Sequence, residues 1–457
     1  MTLHDRLADV LPPSQLSVAD SILDGHSRDL AYHEPRLPDV VVYPESTGDV
    51  SRVLAWANAE SVPVTPFGAG TSLEGHVIPV AGGISLDLSR LDRVLAVRPA
   101  DLQADVQAGV LRSALNAAAA GHGLWFTVDP GADATIGGMA ATNASGTTTV
   151  RYGAMRANVL ALEVVLADGS VIRPGSRTVK TSAGYDLRSL FIGSEGTLGV
   201  ITELTVRLWG VPEHEVAVRL AFPSLEHACR CAATLVAMGV GVQRLELLDA
   251  ATIEAVNAYK GTAFAAAPTL FVELAGSEAG VAGDAGALHE VAAWEECLEI
   301  DEAREAEERS RLWEARHHVL FALVNASPGK RHRSTDVCVP VSELPAAVAH
   351  ARERVDARLL DAAIAAHAGD GNYHVLVMFD PDDPDERARL DALSSDLVAW
   401  ALERGGTCTG EHGIGLGKIE HLEQEHGDLV PHLARLKASF DPNGILNPGK
   451  LLRARPG

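Results

Sequence analysis

The chain has 457 residues, of which 47% are hydrophobic and 22% are charged, and its formal net charge is -23 at pH 7. This length and balance predict a globular protein of two or three domains. The negative charge argues against nucleic acid as a partner, because phosphate binding needs clustered lysine and arginine, and also against an anionic membrane surface. The negative net charge still permits a small anionic substrate if a local cationic pocket receives it.

The five cysteines include no Cys-x-x-Cys pair, which argues against disulfides, a zinc ribbon and an iron–sulfur cluster. A reducing compartment fits this cysteine usage best. The first residues lack the basic start and apolar core of a signal peptide, and no stretch approaches the ~18 apolar residues of a membrane span. We therefore expect a cytoplasmic protein with no transmembrane segment, which could still dock on a membrane partner.

Short strand-like runs alternate with glycine-rich turns and alanine-rich helical patterns from Val40 to about Leu208, which predicts a mixed α and β domain. Residues 110–124 (VLRSALNAAAAGHGL) predict a helix that ends near Gly121 or Gly123. The pattern changes near Gly210, where strands and helices alternate as in a ferredoxin-like sandwich.

Residues 301–323 predict one long helix, and residues 362–379 (AAIAAHAGDGNYHVLVMF) predict two strands joined by a tight turn around 369–372. A glycine-rich loop, a helix and the sequence Asn-Pro-Gly-Lys follow near the end. These patterns divide the chain into residues 1–210, 211–405 and 406–457.

Three glycine-rich segments punctuate the first half: 66–75 (PFGAGTSLEG), 129–146 (DPGADATIGGMAATNASG) and 193–202 (GSEGTLGVIT). Glycine lets the backbone approach an anionic group closely and turn its N–H groups toward it. The first segment has the spacing of neither the dinucleotide fingerprint nor a Walker A loop, and alone it is consistent with a simple tight turn. The second segment is long, small and almost uncharged, which suits donors around a pyrophosphate and a flat ring.

In this order and spacing, the three segments resemble the FAD-binding domain of the vanillyl-alcohol oxidase / p-cresol methylhydroxylase (PCMH) superfamily. The resemblance implies an α+β fold, with a two-part PCMH-type FAD-binding domain over 1–210 and a ferredoxin-like substrate (cap) domain with an antiparallel sheet over 211–405. The segment 406–457 would return to the FAD domain. The residues implied to bind FAD are Gly68, Ala69, Gly70, Thr71, Ser72, Pro130, Gly131, Ala132, Thr135, Gly138, Ala141, Thr142, Ser145, Gly146, Glu195, Gly199, Ile201 and Asn447.

Some relatives attach FAD covalently through a histidine in the first glycine-rich segment. Thr71 stands at that position here, so we expect non-covalent FAD. His76 lies just beyond the segment, and we expect it to be an ordinary loop residue.

A set of metal-ligand residues lies in the second half. His367 and His374 flank the predicted turn, so both rings could reach one ion, and imidazole suits zinc and similar metals. Glu411 and His412 follow Gly410 in a glycine-rich loop. His367, His374 and Glu411 make a two-histidine, one-carboxylate set with open positions, as a catalytic metal requires, and His412 would be a spare base. Unrelated histidines and a capped helix start are the alternatives.

Residues 367–374 (HAGDGNYH) and 406–415 (GTCTGEHGIG) resemble the C-terminal half of the family that contains FAD-linked D-lactate dehydrogenases of the cytochrome type, glycolate oxidases and D-2-hydroxyglutarate dehydrogenases. The resemblance implies oxidation of a small D-2-hydroxy acid, with metal-assisted hydride transfer to flavin N5. It places zinc or manganese on His367, His374 and Glu411. His412 would take the hydroxyl proton. Arg316, otherwise a helix-surface charge, would bind the substrate carboxylate, and Asn372 would also contact the substrate.

The resemblance favours D-lactate as substrate, with glycolate next. Relatives that oxidise 2-hydroxyglutarate carry a lysine two residues before the position of Asp336, where this chain has Ser334, although Lys330, Arg331 and Arg333 lie nearby. Because the chain has no haem or iron–sulfur motif, electrons would pass to an external cytochrome, quinone-linked protein or electron-transfer flavoprotein. A non-catalytic flavin-binding subunit and a metallohydrolase are the rival functions, and the oligomeric state is open.

Overall fold

The computed structural model describes residues 2–453, and these residues form two compact units. The first unit contains residues 2–145, Gly153–Val211 and residues 411–453. The second unit contains Gly146–Tyr152 and Pro212–Gly410. Among the described residues, no helix has both the length and the apolar character needed to cross a bilayer.

The first unit is built on two sheets that share one apolar core. Its strands are β1 (Leu16–Ser17), β2 (Val40–Val42), β3 (Val64–Phe67), β4 (Ile84–Asp87), β5 (Val94–Arg98), β6 (Gln103–Gln107), β7 (Leu124–Trp125), β8 (Val159–Val165), β9 (Val171–Ile172), β10 (Val200–Arg207) and β11 (Trp209–Gly210). One sheet has the order β1-β2-β4-β3, with parallel pairing of β4 to β2 and β3. The other is antiparallel, in the order β5-β6-β10-β8-β9, and β7 pairs with β11.

Helices cover this core. The α-helices of the first unit are Leu3–Leu7, Asp20–Gly25, Thr47–Ala59, Arg112–Ala120, Ile136–Thr142, Met155–Asn158, Leu187–Phe191, Ile419–His426 and Val430–Phe440, and the 3-10 helices are Pro13–Gln15, Leu88–Arg90, Pro99–Asp101 and Gly427–Leu429. The helix expected over 110–124 is present and ends at Gly121. Ser46 caps the N-terminus of the helix Thr47–Ala59. Its side chain accepts a hydrogen bond from the backbone N–H of Asp49, as helix caps commonly do.

The second unit is built on one antiparallel sheet. Its strands are β12 (His214–Ala221), β13 (Val242–Leu248), β14 (Thr269–Gly276), β15 (Glu299–Ala303), β16 (Arg331–Ser334), β17 (Val337–Cys338), β18 (Ala362–His367) and β19 (Asn372–Phe379). The sheet order is β15-β12-β14-β13-β18-β19-β16, and β17 also pairs with β19. The first four strands have the order of a ferredoxin-like sandwich, as the sequence predicted. The hairpin β18–β19 extends that sheet beside β13.

The helices of the second unit are Thr149–Tyr152, Leu225–Ala237, Ala250–Lys260, Glu278–Trp294, Ala306–His317, Val319–Ala326, Leu344–Ala357 and Pro384–Leu402, with the 3-10 helix Val341–Glu343. The single helix predicted over 301–323 is wrong. Its first residues belong to β15, because they pair with β12, and sheet pairing overrides the helical preference of an acidic stretch. Two helices follow, separated at His318, where φ is -92° and ψ is 9°.

The hairpin predicted around the glycine turn is confirmed. His367 pairs with Asn372 and Ala365 pairs with His374. Gly371 has φ +78°, and a Cβ there would lie 2.0 Å from the carbonyl oxygen of Val339, so the turn requires glycine. Since directly paired residues and residues two apart share a face of a sheet, His367, Asn372 and His374 lie on one face of the hairpin.

All five cysteines are free thiols, as expected from their spacing. Cys229 and Cys231 lie on the buried side of the helix Leu225–Ala237, where they pack as small apolar side chains. Burial raises the pKa of the Cys231 thiol to about 12. It is therefore an unreactive core residue.

Candidate active site

His367 is held by a buried carboxylate that the sequence analysis missed. Glu246, in the middle of β13, pairs directly with His367 at the end of β18. The Glu246 Oε1 atom lies 2.7 Å from the Nδ1 atom of His367. A carboxylate can only accept this hydrogen bond, so Nδ1 carries the proton and, in the neutral ring, Nε2 carries the lone pair.

His374 is oriented in the same manner by the backbone. Its Nδ1 atom lies 3.0 Å from the carbonyl oxygen of Thr335, so Nδ1 is again the donor and Nε2 the basic nitrogen. The His367 and His374 ring centroids are 5.5 Å apart and the ring planes are at 90°. Both imidazoles therefore carry a basic nitrogen on the same face of the hairpin.

Asn372 lies between the two histidines on this face. Its Nδ2 group donates to Asp336 Oδ1 at 2.8 Å and to the carbonyl oxygen of Val337 at 2.9 Å. Its Oδ1 atom is buried and accepts no hydrogen bond from the residues that the structure describes. Two imidazole nitrogens and an amide oxygen on one face form a donor set that fits a divalent cation or a substrate hydroxyl.

Asp336 fixes the stretch of chain that comes immediately before Glu411. Its Oδ2 atom accepts hydrogen bonds from Thr409 Oγ1 at 2.6 Å and from the backbone N–H of Gly410 at 3.0 Å. Its Oδ1 atom lies 3.9 Å from the Nδ1 atom of His374. Residues 409 and 410 are therefore held beside the predicted metal hairpin, within the second unit.

Arg316 does not lie on the surface, which was the alternative to its predicted role. Its side chain is 15% exposed, near the end of the helix Ala306–His317, and it is paired with Glu246. The Nε and Nη2 atoms donate to Glu246 Oε2 at 3.0 and 2.6 Å. One carboxylate thus joins Arg316 to His367. Burial raises the pKa of Glu246, but His367 and Arg316 outweigh burial and lower this pKa to about 2.

Glu246 was detectable in principle, because it is a carboxylate within the apolar strand sequence VQRLELLD. Such a residue is rarely fully buried unless it is paired. Its partners, however, lie 70 and 121 residues away in the sequence. No local pattern identifies them.

In the first unit, the loop that carries Glu411 and His412 is held by another buried carboxylate. Glu195 accepts hydrogen bonds from the backbone N–H groups of Ile414 at 2.7 Å and Gly415 at 2.9 Å. Ser145 Oγ donates to Glu411 Oε2 at 2.7 Å. The loop is therefore fixed on both sides of His412.

His76 is not an ordinary loop residue, contrary to our expectation. It is buried, and its Nε2 atom lies 3.3 Å from Glu195 Oε2. Burial lowers the pKa of His76, but the charge and hydrogen bond of Glu195, together with the charges of Asp29 and Glu74, raise it overall. Burial raises the pKa of Glu195, but His76 and the two backbone N–H groups lower it overall. The pair is a buried ion pair at mildly acidic to neutral pH.

The three glycine-rich segments come together in the first unit. A Cβ on Gly68 would lie 2.6 Å from Thr135 Oγ1, so the first segment packs against the second through bare backbone. The N–H groups of Gly193 and Glu195 donate to the carbonyl oxygens of Ala140 and Ala141 at 2.9 and 2.8 Å, which joins the third segment to the second. Small side chains and backbone N–H groups are thus brought together where the three segments meet, and such a surface suits a dinucleotide such as FAD.

Several predicted FAD residues also have packing roles. A Cβ on Gly199 would lie 2.5 Å from Val164 Cγ1, and Ile201 belongs to the apolar core. Asn447 Nδ2 donates to the carbonyl oxygens of His76 and Glu195 at 3.0 and 2.8 Å. Packing accounts for these three residues, and their contact with FAD stays a prediction. Gly146 is the first residue of the second unit.

Comparison with known proteins identifies both halves of the chain. Residues 38–175 match a family model described as FAD binding domain, and residues 211–451 match one described as FAD linked oxidases, C-terminal domain. The "Probable D-lactate dehydrogenase, mitochondrial" of Danio rerio is 44% identical over 96% of this chain and 89% of its own length. The "D-lactate dehydrogenase (cytochrome), mitochondrial" of Arabidopsis thaliana is 42% identical over 91% of this chain and 74% of its own length.

The "Glycolate oxidase subunit GlcD" of Bacillus subtilis is 33% identical over 98% of this chain and 96% of its own length. The crystal structure of p-cresol methylhydroxylase with substrate bound aligns with a TM-score of 0.82 at 17% identity, over 99% of this chain and 96% of that one. This structural likeness confirms the predicted fold class, a PCMH-type FAD-binding fold with an antiparallel-sheet domain.

The expected cytoplasmic location is wrong by this comparison. The relatives from Danio rerio and Arabidopsis thaliana are both named as mitochondrial proteins. The expectation rested on the lack of a signal peptide and on cysteine usage, and neither feature distinguishes the cytoplasm from another reducing compartment.

We predict that Glu195→Gln lowers the free energy of unfolding by about 3–5 kcal/mol near pH 6, because it leaves His76 buried without its counter-charge. The raised pKa of His76 means that its stabilisation is present below its usual pKa and is lost as pH rises through the raised value. The lowered pKa of Glu195 means that its stabilisation is lost only in stronger acid. The penalty should therefore shrink near pH 9.

Urea unfolding of the full chain near pH 6 and near pH 9 measures this difference. Glu307→Gln is the control, because Glu307 forms an exposed pair with Arg311 and such pairs contribute about 0–1 kcal/mol. An equal loss for Glu195→Gln at the two pH values would contradict the assignment of a buried ion pair.

Proposed function

We propose that this chain, which belongs to the FAD-linked oxidase family, oxidises a small D-2-hydroxy acid, with D-lactate favoured, to the 2-keto acid. The observation that carries the proposal is that the two carboxylate oxygens of Glu246 bind two different side chains. One oxygen binds the predicted metal ligand His367, and the other binds the predicted carboxylate anchor Arg316. A 2-hydroxy acid has its hydroxyl group and carboxylate on adjacent carbons, so its site needs these two side chains as neighbours.

His367, His374 and Glu411 would hold the divalent metal, zinc or manganese. The two histidines present basic nitrogens on one face, and Glu411 directly follows Gly410, which is bound to Asp336. When bound, the metal would lower the pKa of the substrate hydroxyl and FAD would accept hydride at N5.

The protein's own side chains would bind the substrate and move its proton. Arg316 uses its Nε and Nη2 atoms on Glu246, which leaves its Nη1 side to pair with the substrate carboxylate. His412 would accept the hydroxyl proton as general base. Its loop is held by Glu195, which supports a fixed position for that base. The buried Oδ1 of Asn372 would accept a hydrogen bond from substrate or contact the metal.

FAD would bind non-covalently in the cradle of the three glycine-rich segments. Thr71, which cannot form a histidyl–flavin bond, stands at the position of the covalent histidine in some relatives. An external acceptor would then reoxidise the flavin. The name of the Arabidopsis relative favours a cytochrome, and a quinone-linked protein or an electron-transfer flavoprotein is the alternative.

The ion pairs of Arg333 and Lys330 favour a monocarboxylate over a dicarboxylate as substrate. Arg333 pairs with Val377 in the sheet, and Val377 lies on the opposite face from His374. Arg333 forms an ion pair with Asp391 at 2.5 Å, and Lys330 forms one with Asp361 at 2.9 Å. Arg333 and Lys330 are therefore both already paired with carboxylates of the protein. Glycolate, also a monocarboxylate, is the second candidate because of the GlcD relative.

We predict that the metal- and FAD-loaded protein reduces an artificial dye with kcat/KM highest for D-lactate, followed by glycolate, and much lower for L-lactate and D-2-hydroxyglutarate. Steady-state assays with each acid measure this order. A protein that contains FAD but reduces no dye with any 2-hydroxy acid would contradict the proposal and favour a non-catalytic flavin-binding subunit.

We predict that His412→Ala lowers kcat about 10²–10⁴-fold, because a positioned general base contributes that much to catalysis. The FAD content should not change, and acid precipitation should release the flavin from both proteins. His432→Ala is the matched control, since His432 is exposed in the same C-terminal part of the chain. Turnover by His412→Ala at a near-wild-type rate would show that another group removes the proton.

A further inference from the structure

We propose that Glu246 is a positioning residue that orients the metal ligand His367 and the carboxylate anchor Arg316 together, so that metal binding and substrate binding depend on one carboxylate. This inference rests on the proposed function and extends it to a residue that touches neither ligand. Glu246 is 0% exposed and lies between the buried residues Leu245 and Leu247 on β13. An ionised group in such a place is stable only if it is paired.

The two oxygens of Glu246 are divided between the two partners. Oε1 accepts the Nδ1 hydrogen of His367 at 2.7 Å, and Oε2 accepts hydrogen bonds from Arg316 at 2.6 and 3.0 Å. Both partners are thus fixed relative to one rigid group in the centre of a strand. A change at Glu246 must alter both of them.

The contact with His367 sets the tautomer and the orientation of the ring. With Nδ1 holding the proton, Nε2 is the nitrogen that can bind a cation. The direct pairing of Glu246 with His367 across β13 and β18 fixes this geometry by sheet register. A glutamine at position 246 would keep the shape but lose the charge.

The contact with Arg316 holds the plane of the guanidinium group. A free arginine side chain loses rotamer freedom when it is ordered on binding an anion. Because two N–H groups of Arg316 already bind Oε2, that ordering is complete before substrate arrives. The remaining Nη1 side is therefore preorganised for an anion.

A nearby ion pair serves as the structural comparison. Glu273 on β14 is also buried, lies 3.1 Å from Arg244, and accepts a hydrogen bond from Gln243 at 2.8 Å. Arg244 lies two residues before Glu246 on β13 and pairs with Glu273 on β14. Glu273 and Glu246 therefore lie on the same face of the sheet. It contacts none of the predicted metal or substrate residues among those described. Glu273→Gln therefore reports the effect of losing a buried, paired carboxylate that contacts neither His367 nor Arg316.

The test compares Glu246→Gln and Glu273→Gln in the FAD-loaded full chain, depleted of metal by a chelator and then titrated calorimetrically with Mn²⁺. We expect Glu246→Gln to weaken Mn²⁺ binding about 10–100-fold, the usual effect of losing such an outer contact. It should also raise KM for D-lactate when Mn²⁺ is saturating. Glu273→Gln should change neither quantity by more than about twofold.

Glu246→Asp provides a second variant if Glu246→Gln does not fold, because it keeps the charge but cannot reach both partners at once. It should either weaken Mn²⁺ binding strongly and raise KM for D-lactate only slightly, or raise KM strongly and weaken Mn²⁺ binding only slightly. Wild-type Mn²⁺ affinity and KM in either folded variant at position 246 would overturn the proposal, as would equal effects from Glu273→Gln. A wild-type protein that binds no Mn²⁺ and oxidises no 2-hydroxy acid would instead overturn the proposed function.

Discussion

A carboxylate that is fully removed from water must be paired with cations, and this requirement organises the predicted site in the second unit. Glu246 occupies the centre of an antiparallel sheet, where burial alone raises its pKa and opposes its charge. His367 and Arg316 reverse that effect, and they lie on opposite oxygens of the group. The sheet register between β13 and β18 therefore determines where a metal ligand and an anion-binding side chain meet.

The first unit uses the same physical arrangement for a different purpose. Glu195 is buried and ionised because His76 and two backbone N–H groups bind it. Those N–H groups belong to the loop that follows His412. Each unit thus contains a buried carboxylate that joins residues distant in sequence. Glu246 binds two residues of the proposed site, and Glu195 binds the loop that follows the proposed base His412.

The local features of the molecule were predictable from the sequence, because a few adjacent residues determine them. The hairpin of β18 and β19 follows from a turn that requires glycine at position 371, and the ferredoxin-like strand order follows from the alternation of strands and helices. The three glycine-rich segments indicated a dinucleotide cradle for the same reason. His367 and His374 were predicted as a pair because both flank one turn.

The contacts between distant residues were not predictable from one sequence. Glu246 is 121 residues from His367, and His76 pairs with a residue in the third glycine-rich segment. Their roles depend on register and burial, which the sequence pattern does not encode. The helix expected over 301–323 failed for a related reason, since pairing of β15 with β12 outweighed local preference.

The central claim is that one site uses both a divalent metal and FAD to oxidise a D-2-hydroxy acid. The most direct measurement mixes D-lactate anaerobically with the FAD-loaded chain, without any acceptor, before and after metal depletion and after Mn²⁺ is restored. We predict that the flavin absorbance bleaches in the metal-loaded protein. Metal depletion should slow the bleaching at least about 100-fold, because several kcal/mol of charge stabilisation are lost, and added Mn²⁺ should restore the original rate. Equal bleaching rates with and without metal would contradict the claim.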